Sequence, residues 1–229
     1  MVSQMAPADF FEVIHSARAM RRFKADSVPD ELITQILEAA VSAPSGGNAQ
    51  DWLFVIITDP EQRRRVGAVY AKASQMVRPF YSNATKPAHM TEAEYQRLKS
   101  SGFYLHEHMG EAPVLILVAA KKKAPRQYGG IDAAVEARNQ LCTRMASIYP
   151  AVQNIILACR ALGLGTVLTT NHTLCEDEMK AVIGLPEEVE TFALLPVGYP
   201  PDNFGGVRRK PLGEVVIRDR WGNSWPGAS

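Results

Sequence analysis

The stretch that most limits how this chain can fold is residues 147–165, SIYPAVQNIILACRALGLG. It is the second half of a helical pattern that begins near Asp132 and ends at Gly163, and it is apolar on nearly every side. A helix with no solvent face has to be covered from several directions. In a chain of 229 residues, a partner subunit is an expected cover. Four short apolar runs supply strands to pack against it: WLFVIIT from Trp52, which is rich in β-branched residues, APVLILVAA from Ala112, TVLTT from Thr166 and FALLPVGYP from Phe192. Further helices are expected over residues 10–18, over 176–183, and from a Ser27 cap through Pro29 and Asp30 to Ala43, where Pro44 ends the element. The expected class is α/β (α+β), one domain over residues 1–229, with helices around a sheet.

Residues 61–111 differ in character. They are polar, carry Pro79 and Pro87, and hold Tyr70, Tyr81, Tyr95, Phe103 and Tyr104. Glu94 follows Thr91 at capping-box spacing, so a helix is expected from Thr91 to about Lys99. The whole segment reads as a helical excursion or lid, and residues 200–229 as a C-terminal extension. Neither internal repeats nor low-complexity tracts are visible.

The charge balance excludes some function classes. Lys plus Arg number 25 against 24 Asp plus Glu, so no basic face for nucleic acid or acidic membrane is implied. Three cysteines, Cys142, Cys159 and Cys175, show no CxxC spacing; Cys142 and Cys159 fall in helical patterns and read as small buried apolar groups. No basic segment followed by an apolar run opens the chain, and no segment approaches a membrane span. A soluble cytoplasmic protein is expected. His106 and His108, two apart in LHEHM, suit one metal poorly, and no GxGxxG, Walker A or GxSxG motif occurs. No metal and no nucleic acid are expected.

Three clusters carry polar chemistry. Arg18, Arg21 and Arg22 lie in ARAMRRF; Arg208, Arg209 and Lys210 lie in VRRKP. Guanidinium forks match phosphate oxygens, and together the two clusters suit one dianionic phosphate clamped from both ends of the chain. Each alone reads equally well as a solvated surface. The third cluster is the loop APSGGNAQDW: Gly46 and Gly47 permit conformations a Cβ would block, while Asn48 and Gln50 can read the edge of a heterocycle. A turn closed by its own side chains explains the same composition.

Taken together, these segments resemble the nitroreductase family, flavin-dependent oxidoreductases that bind FMN across a homodimer interface. RAMRRF resembles the family's N-terminal arginine segment, APSGGNAQDW its APSxxNxQPW loop, ALGLGTVLTT its strand beside the flavin, and LLPVGYPPDNFGGVRRKPL its closing strand and phosphate-binding arginine. YLHEHMGEAPVLIL and the tail DRWGNSW resemble a subgroup of small nitroreductases. The resemblance implies a nitroreductase-like fold, a central mixed, mainly antiparallel sheet in an intertwined homodimer. It also implies FMN as cofactor. Arg18, Arg21 and Arg209 would meet the phosphate and ribityl end, with Ala19, Met20 and Pro44 beside the cofactor. Ser45, Gly46, Asn48 and Gln50 would line the pyrimidine side, part of the loop facing the other subunit's FMN. Thr169 and Thr170 would sit at the N5 edge, a backbone N–H there tuning transfer. Residues 148–162 would form the dimer core.

The implied activity is ping-pong transfer of hydride from NAD(P)H through flavin N5 to a nitroaromatic or quinone, with no catalytic side chain. Flavin storage or sensing, and reductive dehalogenation, are the alternatives. Ala19 replaces the family's serine and Asp51 its proline. Iodotyrosine dehalogenases of this superfamily grip a zwitterion with a glutamate, tyrosine and lysine; Glu94, Tyr95 and Lys99 depart from their spacing.

Overall fold

The computed structural model describes residues 9–124 and 129–227. Residues 1–8, read above for a leader, and 228–229 of the C-terminal extension lie outside that range. Six α-helices and four strands follow one another as α1 (Phe10–Ser16), α2 (Asp30–Val41), β1 (Trp52–Ile57), α3 (Pro60–Asn83), α4 (Glu92–His108), β2 (Val114–Lys121), α5 (Ala133–Ala161), β3 (Gly165–Thr166), α6 (Glu176–Ile183) and β4 (Val189–Gly198).

The strands form a sheet in the order β1-β2-β4-β3, and every pairing among the described residues is antiparallel. The central strands are apolar on both faces because both faces are covered. Ile116, Val118, Leu195 and Val197 join α2 and α5, with Ile36, Ala40, Ile148 and Ile155. Leu115, Leu117 and Leu194 join α3, α4 and α6, with Val66, Tyr70, Leu105 and Met179. The segment expected as an excursion thus forms α3 and α4, and α3 supplies Val66, Val69, Tyr70 and Ala73 to the second core cluster or its buried face. α3 crosses the turn 109–111 at backbone contact: a Cβ on Gly67 would lie 2.7 Å from the Gly110 nitrogen.

Local chemistry explains most helix starts. Asp9 accepts from the N–H groups of Phe11 and Glu12, and Asp59 from that of Gln62, with Pro60 opening α3. Thr91 and Glu94 form the full capping box, and α4 runs on from it to His108, beyond Lys99. Ser27 does not cap α2. Pro29 occupies that place and the helix starts at Asp30 without a side-chain cap. Gly163, at φ +74°, follows α5 as expected. The third expected strand, TVLTT, is cut short: after Thr166 the chain leaves the ladder and rejoins β4 only at the Thr169–Leu194 bridge.

One expectation about α5 is corrected, that of a buried Cys142. The second half of the helix is covered within the chain on one face, where Ile148, Ala151, Val152, Ile155 and Cys159 are buried and Asn154 donates to the Ala39 carbonyl, while Ile156, Leu157 and Leu162 stay partly exposed. Fully exposed large apolar side chains of the helix lie on its first half, at Val135, Leu141 and Met145; Phe10 and Phe11 of α1 are exposed as well. Cys142, also on that first half, is exposed, whereas Cys159 is fully buried and its thiol pKa is pushed up by desolvation. No helix among the described residues is long and apolar enough to cross a membrane.

Candidate functional site

After α1 the chain runs extended beside the sheet. Met20 N–H donates to Thr166 O at 2.9 Å and Lys24 N–H to Tyr199 O at 2.8 Å. The Met20 side chain is buried against Gly165, where an added Cβ would stand 2.8 Å from Met20 Cβ. Only glycine leaves that notch open. Of the two neighbours named with the arginines, Ala19 is exposed and Met20 is sunk into the core, so only the backbone of Met20 is left to meet a ligand.

Both chain ends meet at this edge. Arg18 Nη2 donates to Asn203 O at 3.1 Å, and Val207 N–H donates to His15 O at 2.9 Å. Arg160, which the sequence reading passed over, fastens the two together. Its Nε donates to Ser16 Oγ at 2.7 Å, its Nη2 meets Glu12 at 2.9 Å, and its guanidinium lies 4.3 Å from the Phe204 ring centroid. A lone arginine in the apolar run ACRALGLG was the available signal.

The cations of the two clusters divide by what they already hold. Arg22 stacks 3.6 Å over the Tyr104 ring, which itself stacks on His108. Arg208 pairs with Glu94 at the start of α4, and Lys210 lies 3.8 Å from Glu214. These three have partners of their own. Arg209 is exposed and donates to the carbonyl of Arg208 at 2.9 Å. Arg21 differs from all of them. It is half-buried, burial lowers its pKa, and no carboxylate among the described residues pairs with it. A desolvated cation without a counter-ion is costly unless something else neutralises it.

Arg21 lines a cavity of about 450 Å³ together with Tyr70, Thr169, Thr170 and residues from α3 and α4. Tyr70 is buried and shares hydrogen bonds with the side chains of Thr169 and Ser74; desolvation raises its pKa, against those bonds and the nearby Arg21 charge. Thr169 spends its whole peptide unit on β4, giving its N–H and taking that of Leu194. Its hydroxyl goes to Leu194 O as well. Thr170 is exposed, and its N–H has no acceptor among the described residues. Of these two threonines, the one with a free backbone donor is therefore Thr170. Beneath it His172 is fully buried with both ring nitrogens unpartnered, and burial pushes its pKa down to about 4.

The loop from Pro44 to Gln50 is built differently. Gly47, Asn48 and Gln50 all have positive φ, at 62°, 51° and 51°. Asn48 and Gln50 need a compensating framework to stay there. The loop provides one: Gln50 N–H donates to Ser45 Oγ at 3.0 Å, Gln50 Nε2 to Asn48 Oδ1 at 3.1 Å, and Gly46 N–H to Ser147 Oγ at 3.1 Å. Asp51 pairs with Lys123 and ties the loop to the end of β2. The loop thus rests on α5 at Ser147, whereas the arginine edge is fastened at Arg160, thirteen residues later, about 20 Å along the helix axis. The structure joins Arg18 and the 203–207 segment, and joins Arg21 with Thr169 and Thr170. It does not bring Pro44, Ser45, Gly46, Asn48 or Gln50 to either group.

The sequence matches the family model described as the nitroreductase family over residues 14–199, most of the chain.

The chain belongs to that family. It is 25% identical over 211 residues to iodotyrosine deiodinase 1 of Homo sapiens, covering 91% of this chain and 68% of that protein. It is 28% identical over 206 residues to an NADH dehydrogenase of Thermus thermophilus, covering 87% and 91%. A solved structure of oxidized iodotyrosine deiodinase bound to FMN and 3-iodo-L-tyrosine superposes with a TM-score of 0.68 at 27% identity, covering 93% of this chain and 99% of that one. The nitroreductase-like fold expected above is therefore the fold of this chain.

Proposed function

We propose that this protein is an FMN-dependent oxidoreductase that takes reducing equivalents from NAD(P)H and passes them to an electron-poor acceptor such as a nitroaromatic or a quinone. The observation that carries the reading is Arg21: a half-buried guanidinium with no carboxylate partner among the described residues, facing a cavity beside the unspent N–H of Thr170. An anionic cofactor with polar ring edges fits both. When bound, FMN supplies hydride exchange at N5 and delivery of electrons to the acceptor.

The chain's own residues bind, orient and exclude water. Arg21 and Arg18 offer charged donors to the phosphate and ribityl end, joined by Arg209 from the segment that Arg18 and His15 anchor. Thr170 N–H offers a donor at the ring edge, on a main chain made rigid by the Thr169–Leu194 bridge. Nicotinamide and acceptor take turns in the cavity, which is why a separate dinucleotide fingerprint is absent. The 20 Å between Ser147 and Arg160 supports a site shared by two copies, with the loop from Pro44 to Gln50 meeting the partner's cofactor.

Reductive dehalogenation is the second reading, favoured by the iodotyrosine deiodinases among the relatives. Of Glu94, Tyr95 and Lys99, only Tyr95 and Lys99 line the cavity; Glu94 is tied to Arg208 and to the Thr91 N–H and hydroxyl.

The deciding experiment is a spectrum of the purified protein, followed by anaerobic titration with NADH and NADPH and then with nitroaromatic, quinone and halotyrosine acceptors. Yellow protein bleached by a nicotinamide and reoxidised by a nitroaromatic or quinone is the expected result. A colourless protein that refuses added FMN defeats the proposal. Halide release without nitro or quinone reduction selects the second reading.

A further inference from the structure

The cavity beside Arg21 has a one-sided charge. Its cationic groups are Arg21 and Lys99, it also carries the imidazole of His106, and none of the residues lining it is Asp or Glu. Lys99 is half-buried, has no carboxylate partner among the described residues, and holds its Nζ 4.7 Å from the Tyr95 ring centroid, one turn back on α4. Tyr95 is a fixed platform, buried and donating its hydroxyl to Ala84 O at 2.5 Å. The rim is aromatic and uncovered: Phe80 and Tyr81 are 72% and 43% exposed and meet edge to face. Deeper in, His106 is buried between Tyr70 and Phe103, and its Nδ1 has no hydrogen-bond partner. Burial, helped by Arg78, lowers the pKa of that imidazole.

Resting on the flavoprotein reading above, we propose that the cavity selects a flat aromatic anion, a ring bearing a carboxylate or phenolate, over neutral and zwitterionic aromatics of the same size. The ring covers the exposed faces of Phe80 and Tyr81 while its charge meets Lys99. His106 Nδ1 gives the bound ring one polar partner. An ammonium group finds no anion here. Glu94, the carboxylate nearest in sequence to Tyr95, is held by Arg208 and by the helix cap, so a free amino acid brings a positive charge toward Lys99 with no lining carboxylate to receive it.

The test uses the purified full chain and three probes of one shape: 4-nitrobenzoate, 4-nitrobenzamide and 4-nitrophenylalanine. Binding is measured by calorimetry at low salt and again at 0.5 M NaCl, and flavin content is read separately from the absorbance spectrum. The benzoate is expected to bind at least about tenfold tighter than the benzamide, with the nitrophenylalanine no better than the benzamide. The gap narrows at high salt. Lys99→Gln brings the benzoate close to the benzamide and Lys99→Arg restores the difference; thermal melts confirm that both variants fold. Equal binding of benzoate and benzamide overturns the proposal, as does a gap that survives Lys99→Gln, or tightest binding of the zwitterion. A colourless protein that still ranks the probes as expected defeats the flavin reading and leaves the selectivity standing. A yellow protein that does not rank them does the reverse.

Discussion

Two polar regions of this molecule, the 44–50 loop and the arginine edge, have similar raw materials and opposite states. In the loop, Asn48 and Gln50 bond each other, Ser45 takes the Gln50 N–H, and Ser147 takes that of Gly46. At the edge, Arg21 is desolvated with no carboxylate partner among the described residues, and Thr170 N–H has no acceptor there. A polar cluster that closes on itself is structure first. One that leaves charge and donors unspent is prepared for something the chain does not contain. Burial without compensation separates the two better than residue type does.

The largest expected effect lies under the edge. His172 is buried neutral, with a folded pKa of about 4 against an ordinary value near 6.5. The unfolded chain takes up that proton first, so stability is full above about pH 6.5 and is lost as the pH falls toward 4, by an amount on the order of 3 kcal/mol. His106 shifts in the same direction and adds to the slope. Thermal melts from pH 7.5 to 4.5 should show this decline, and His172→Phe should flatten it; an unchanged slope in the variant would remove His172 as its source.

Next comes Arg21→Ala. Losing a charged hydrogen bond at a partly buried site costs about 1.5–3 kcal/mol, so retained FMN after gel filtration should fall at least tenfold while the fold survives. Full flavin retention would erase the contrast between edge and loop. Gly165→Ala drives a Cβ to 2.8 Å from Met20 Cβ, an overpacking of about 1–3 kcal/mol that should lower stability and flavin content together. On the loop side, Ser147→Ala removes one acceptor. It should cost about 0.5–1.5 kcal/mol and speed hydrogen exchange at Gly46 more than at Met20. Asp51→Asn opens an exposed ion pair with Lys123 and should change stability by about 1 kcal/mol or less in a denaturant titration.

How much of this was legible follows from what a linear pattern can carry. Caps and stops are local, and the Thr91–Glu94 box, the Gly163 stop and the run of α6 from Glu176 to Ile183 read directly. Ser27 misled because Pro29 already fits the helix start. The apolar second half of α5 pointed to cover from several directions; one face is covered within the chain, and no one-dimensional pattern tells which chain covers the rest. TVLTT has strand composition throughout, but only Thr166 stays in the ladder before the chain turns toward the cavity. In the site, residue types were legible and their partners were not. Arg22 and Arg208 look like Arg18 and Arg21 in the sequence; only tertiary contacts assign them to Tyr104 and Glu94, whereas Lys210 has its Glu214 four residues on. Tyr70 recurs with Val66, Val69 and Ala73 at core spacing, and nothing local tells that its hydroxyl reaches Thr169.

The seat of Met20 over Gly165 has a mechanical consequence. The first carbons of a side chain seated over a glycine work as a dowel: they set the phase of the extended segment, so Arg18 and Arg21 to either side cannot slide along the strand. Force applied by a ligand to Arg21 is then transmitted to the edge strand β3, and through its pairing to β4, and not absorbed by a loose tail. Ligand release and global melting should consequently be registered at one temperature, as a single event.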